Sequence, residues 1–219
     1  MSIGSVTPGD NFPCVRRISY SNIDFQYPFK SLYVKTNPGE GYGLISDILY
    51  EDINIYYPVW YNIYIGPQQM KQPSGEGPGC MTYPFGGACP TNPNVDVKNI
   101  TIRNLNSTGG FLPPGVIRCN ESNPCTGINF ENVNIEGWWS ELGLGFVTEY
   151  AYGNSTSAVP DPGFGKASEH VFEFFSLDSA LALVQDLARL KQKESEDFHD
   201  WEVLLGIVVW ALSEAIHLI

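Results

Sequence analysis

Basic residues are scarce in this chain: 12 Lys and Arg stand against 24 Asp and Glu, a formal net charge of −12. A nucleic-acid binder needs a basic footprint to meet phosphate, so that class is excluded. Histidine is scarcer still. His170, His199 and His217 are scattered without ligand spacing, so they read as surface histidines, and neither a metal nor a cofactor is expected. Met1 leads straight into Ser2-Ile-Gly-Ser5 with no apolar run, so no signal peptide opens the sequence. The apolar segment from Trp201 to Ile219 is broken by Glu202, Glu214 and His217. A spanning helix wants about 20 largely uncharged residues, and the segment therefore reads as a docked or interfacial helix rather than a membrane span. Residues 1–140 also lack a helical period, which leaves strands.

Those strands come from a repeat. The phrase Lys98-Asn-Ile-Thr-Ile-Arg-Asn-Leu-Asn-Ser107 recurs at residues 16–25, 46–55 and 126–135. In each copy the third, fifth, eighth and tenth positions are mostly apolar or aromatic, and the seventh is Asn22, Asp52, Asn104 or Asn132. A spacing of two marks a strand, and the single step of three marks a corner where the inward face is reset. Asn or Asp at such a corner tolerates left-handed backbone angles and bonds locally to the backbone. The adjacent acids Glu51 and Asp52 are accordingly read as corner residues and not as a catalytic pair. The anchors Ile18, Ile48, Ile100 and Ile128 lie 30, 52 and 28 residues apart, so the middle gap holds two turns or one turn with an insertion. Periods of 20 to 50 residues signal a solenoid, propeller or array. Short strands with Asn/Gly corners choose an all-β parallel β-helix of about four to five turns, incomplete as it stands.

Five cysteines and the acceptor sequons at Asn99, Asn106, Asn120 and Asn154 point to the secretory pathway and an extracellular setting. Cys119 and Cys125 bracket a short loop whose closure stabilises by roughly 2 kcal/mol. Cys80 and Cys89 bracket a second loop, inside a Gly- and Pro-rich insertion over residues 70–95. Cys14 is left over. An odd cysteine and oxidising-compartment features without an entry signal suggest an N-terminus that lies upstream.

Ser2-Ile-Gly-Ser5, then Tyr33-Val-Lys-Thr36 followed by Asn37-Pro-Gly-Glu-Gly-Tyr-Gly43, in this order and spacing, resemble the polygalacturonase family, glycoside hydrolase family 28, over about residues 2–139. The resemblance implies a right-handed parallel β-helix that hydrolyses galacturonan-type pectin with inversion. It implies that the acid and base come from an Asn-Thr-Asp and an Asp-Asp motif upstream of a Gly-His-Gly. None of the three occurs in this chain, so no catalytic residue is assigned in it. Of the family's site residues Lys35 carries over, as a cation for a uronate carboxylate. Tyr33 stands where the family has Arg, and Gln68 or Gln69 where it often has Tyr; Lys35, Tyr33 and Gln68 form the expected substrate-binding set. Tyr33, Tyr57, Trp60 and Tyr61 read either as sugar-stacking rings or as a packed aromatic ladder, the ladder being preferred.

The repeat is expected to end near residue 140, with a Gly/Ser/Pro linker over residues 141–168 and a helical tail over residues 169–219, where Leu177, Leu181, Val184 and Ala188 form a stripe. The reading is the C-terminal portion of a polygalacturonase-type enzyme, inactive alone and a monomer when whole, with a galacturonan-like polysaccharide as partner. The alternative is a non-catalytic β-helix that binds polysaccharide through the Lys35 face. The two separate on whether the upstream reading frame holds the three absent motifs.

Overall fold

A computed structural model of the chain describes residues 1–66, 83, 89–110, 112–140 and 144–165. Apart from Tyr83 these belong to one compact unit, Met1–Met81 with Ala88–Ser168. The expected helical tail, with the stripe from Leu177 and the three histidines, lies outside the described residues.

Ten strands form two parallel sheets. One sheet holds β1 (Ser2–Val6), β3 (Leu32–Thr36), β5 (Ile63–Gly66), β7 (Gly115–Arg118) and β9 (Val147–Glu149), in that order. The other holds β2 (Cys14–Gln26), β4 (Gly43–Tyr56), β6 (Val95–Gly110), β8 (Cys125–Gly137) and β10 (Ala151–Val159). Every pairing is parallel. Each short strand is followed by a long one and the pair makes one coil, so the chain is a parallel β-helix of five coils. Among the described residues the sole helix is the 3-10 turn Trp138–Ser140.

The isoleucine anchors stack as the repeat requires. Ile18 pairs with Ile48, Ile48 with Ile100, and Ile100 with Ile128. The direct pairing of Ile48 with Ile100 settles the 52-residue gap as one coil carrying an insertion. In the inner coils the four inward positions are closed off from solvent: Ile48, Tyr50, Ile53 and Ile55 in β4; Ile100, Ile102 and Leu105 in β6; Ile128, Phe130, Val133 and Ile135 in β8. The tenth slot of β6 is polar, yet Ser107 is buried without penalty because its Oγ donates to Asn62 Oδ1 at 2.6 Å. Ile18, Tyr20, Ile23 and Phe25 are only half-buried, since β2 is an edge strand with a neighbour on one side.

The corners behave as their chemistry demands. Asn22, Asp52, Asn104 and Asn132 all have φ between 51° and 56°, the left-handed region that short polar side chains tolerate. Three of them also bond to each other between coils: Asn104 Nδ2 donates to Asp52 Oδ1 at 2.8 Å, and Asn132 Nδ2 to Asn104 Oδ1 at 3.0 Å. A second corner five residues earlier, at Arg17, Asp47, Asn99 and Gly127, is left-handed too. Glu51 accepts from Arg103 Nε at 2.5 Å, so both acids of the Glu51-Asp52 pair serve the coil stack. Asn104→Val should cost about 2 kcal/mol, because a β-branched residue resists left-handed φ and both ladder bonds are lost. Urea unfolding of the variant beside the parent measures it.

The structure corrects the end of the repeat. The stretch expected to be a linker contains β9 and β10, and β10 continues the stack on β8 through Gly153 opposite Ile128, Ser155 opposite Phe130 and Ala158 opposite Val133. Ser157 takes the corner, with φ 58°. Small residues in the anchor slots erase the apolar signature. Gly153 is required there, since a Cβ would lie 1.7 Å from the Ile128 carbonyl oxygen. Phe146 and Phe164 fill the space these residues leave, meeting the Phe130 ring edge-on at 5.6 and 5.4 Å.

Candidate functional site

Leu32 and Val34 of β3 point into the core, so alternation places Tyr33 and Lys35 on the outer face of the short-strand sheet. Register extends that face. Tyr33 lies opposite Tyr64, and Lys35 opposite Gly66. Ile65 opposite Ile117 puts Arg118 in the next place of the same row, and Arg118 lies opposite Glu149. The outer row therefore reads Lys35, Gly66, Arg118, Glu149.

Lys35 stands between glycines. On one side a Cβ at Gly4 would come within 2.2 Å of the Lys35 carbonyl oxygen, and on the other Gly66 has φ 109° with no room for a Cβ. From β5 no side chain faces the lysine, its partner there being Gly66, while on the β1 side the register shift sets both Gly4 and Ser5 against it. Burial holds the Lys35 ammonium below the usual lysine range. Lys30, just before β3, sits with Nζ 4.7 Å from the centroid of the Tyr33 ring. Its pKa is also lowered, first by burial and then by the charge of Lys35.

Tyr33 itself is 3% exposed. Its ring meets Trp60 edge-on at 5.7 Å and Tyr64 at 5.8 Å, and Trp60 stacks on Tyr64 at 4.6 Å. Trp60, Tyr61 and Tyr64 are equally buried. For Tyr33, Trp60 and Tyr61 the packed arrangement is the one found, and in this conformation the Tyr33 ring is not presented for sugar stacking. Tyr57 lies apart from them, half exposed and stacked on Tyr27 at 5.5 Å. Gln68 lies outside the described residues.

Arg118 was not singled out by the sequence. Its Nε donates to Glu149 Oε2 at 2.5 Å, with both side chains 17% exposed. The signal is present only through register: Tyr33-Val-Lys35, Tyr64-Ile-Gly66, Val116-Ile-Arg118 and Val147-Thr-Glu149 stack term by term. Glu149 is three strands from Lys35, roughly 14 Å at the usual strand spacing, and is held by Arg118.

The loops leaving this sheet are tied together. Asn92 Nδ2 donates to the Asn37 carbonyl, Asn94 Nδ2 to the Gly39 carbonyl at 2.9 Å, and Asn120 Nδ2 to Thr91 Oγ1 at 2.9 Å. Cys119 and Cys125 form the expected disulfide. Cys89 is disulfide-bonded, while Cys80 lies outside the described residues. Cys14 is exposed and free. Of the sequon asparagines, Asn99, Asn106 and Asn154 lie exposed on the long-strand sheet. Asn99 and Asn154 donate to Asp47 and Asn129, and Asn106 accepts from Asn134. Asn120 is half-buried in the disulfide loop.

The sequence model of glycosyl hydrolases family 28 matches residues 1–149. A protein described as probable rhamnogalacturonase C, from Aspergillus flavus, is 28% identical over 147 residues, which cover 65% of this chain and 26% of the relative. This chain thus spans about a quarter of that relative's length. No solved structure matches the chain.

Proposed function

The chain belongs to glycosyl hydrolases family 28, and from that premise we propose that it is the C-terminal part of a secreted, inverting, polygalacturonase-type hydrolase of pectin-like polysaccharide. In such a reaction one carboxylic acid donates its proton to the glycosidic oxygen as the C–O bond at the anomeric carbon breaks. A second carboxylate takes a proton from the water that attacks from the opposite face. The Asn-Thr-Asp, Asp-Asp and Gly-His-Gly motifs do not occur in this sequence, so the proton-handling pair belongs to other residues of the whole enzyme. This chain contributes the face on which Lys35 meets a uronate carboxylate. What supports the reading is the family match over residues 1–149 together with Lys35 on the outer face between two glycines. The relative's name points to a rhamnogalacturonan and the motif resemblance to a homogalacturonan, and both carry galacturonate. Support for secretion comes from the Cys119–Cys125 disulfide and the four sequons.

The test is release of reducing ends from polygalacturonate and from rhamnogalacturonan by the 219-residue chain. None above background is expected. Measurable turnover would overturn the placement of both carboxylates outside this polypeptide.

A further inference from the structure

We propose that the turn following the long strands binds one internal water molecule, held beside Gly110 by Asn62 Nδ2 and Trp139 Nε1, and that this water joins the chain segments leaving β4, β6 and β8. The inference is independent of the pectin-directed reading.

Asn62 is fully buried and Trp139 is 3% exposed, yet their Nδ2 and Nε1 donors meet no acceptor among the described residues. A buried donor left unpaired is costly, so the great majority of such groups in folded proteins are satisfied by protein or by ordered water. The two donors face one place. A Cβ at Gly110 would lie 3.5 Å from Asn62 Nδ2, 3.7 Å from Trp139 Nε1 and 3.4 Å from Pro58 Cγ. A small group therefore fits there without a clash, which is about the room one water needs. Asn62 Oδ1 already accepts from Ser107 Oγ at 2.6 Å, which fixes the carboxamide with Nδ2 turned towards Gly110.

The chemistry of the site selects water. Both donors are neutral and their neighbours are a proline, an indole and glycine backbone, so an anion would lose its hydration and meet no opposite charge. Water accepts from both N–H groups at once. Elsewhere Asn and Asp side chains stitch neighbouring coils at the corner; here a solvent molecule does so across three successive long strands. Asn62 extends the tie to the short-strand sheet, since its carbonyl accepts from Leu32 N at 2.9 Å and it stands directly before β5.

Overhauser spectroscopy of the isotope-labelled full chain tests the proposal, with the indole N–H of Trp139 assigned by its loss in Trp139→Phe. That N–H should show a cross-peak to water of opposite sign in the laboratory and rotating frames, as a long-lived water gives and chemical exchange does not. Gly110→Ala should remove the cross-peak and lower the folding constant about tenfold in urea unfolding, because the methyl takes the water's place and accepts no hydrogen bond. Gly110→Ser should remove the cross-peak yet keep most of the parent's stability, because its Oγ can accept from both nitrogens. Gly110 lies outside the left-handed region, so neither variant strains the backbone. A Trp139 N–H without a water cross-peak in the parent would overturn the proposal. So would a Gly110→Ala variant as stable as the parent, which is how a dry gap responds to filling. Equal losses in the Ala and Ser variants would mark a steric effect and overturn it as well.

Discussion

Replacing Ile100 by Ala is expected to lower the stability of the β-helix by about 4 kcal/mol, towards the upper end of the range for core Ile→Ala changes. Ile100 is fully buried, with Ile48 in register on one side and Ile128 on the other. The cost of such a truncation depends on how far the surroundings collapse into the cavity. Here collapse is restrained on three sides. The neighbouring isoleucines are held at ladder spacing by the backbone bonds of β4, β6 and β8. The corner bonds between Asn104, Asp52 and Asn132 pin the same three coils on the outside. Ile18→Ala provides the contrast, because Ile18 is only half-buried on the edge strand and should cost no more than about 2 kcal/mol, in proportion to the smaller area removed from water. Urea denaturation of both variants beside the parent measures the difference. Equal losses, or a loss below about 1 kcal/mol at Ile100, would mean that the isoleucine column does not carry the core.

This contrast bears on what the sequence makes legible. Ile18, Ile48, Ile100 and Ile128 can be read as one column because each occupies the same slot of a phrase whose corner residue is always Asn or Asp. Two independent constraints, inward burial and left-handed φ, act on fixed positions and leave a double signature. The fifth coil satisfies the same geometry with Gly153, Ser155 and Ser157, residues that carry neither apolarity nor the Asn signal. The bulk they lack is supplied by Phe146 and Phe164 from outside the repeat, so the stretch has the composition of a linker.

The site divides in the same way. Lys35 was legible because it lies within a strand whose local order is distinctive. Lys30 was not, since it precedes the strand and its relation to Tyr33 is made through space. Arg118 and Glu149 become neighbours only once the register of β7 and β9 is known. Tyr33 shows the converse. Its place in the motif suggests a contact with substrate, and its burial against Trp60 and Tyr64 makes it a support for what stands above it.

Gly66→Ala is expected to be at least as damaging as the loss at Ile100, although it adds a single methyl group. Gly66 has φ 109°, a conformation that L side chains rarely adopt and that costs about 1–3 kcal/mol when forced on them. Its added Cβ would also fall 2.0 Å from the Arg118 carbonyl oxygen. The atom in the way is backbone in the adjacent short strand, so no rotamer change relieves the clash. Relief requires β5 and β7 to part or the Gly66 peptide to turn. Turning that peptide moves the carbonyl to which Thr36 Oγ1 donates at 2.6 Å in a buried bond, and an orphaned buried donor adds about 1–3 kcal/mol. The sum is a loss of about 4 kcal/mol or more. Gly145→Ala is the control, because a Cβ there meets nothing within 4 Å, and it should stay within about 0.5 kcal/mol of the parent. Thermal and urea unfolding of the two variants decide the matter. A Gly66 variant as stable as Gly145→Ala would show that β5 and β7 do not approach as closely as the row Lys35, Gly66, Arg118 requires.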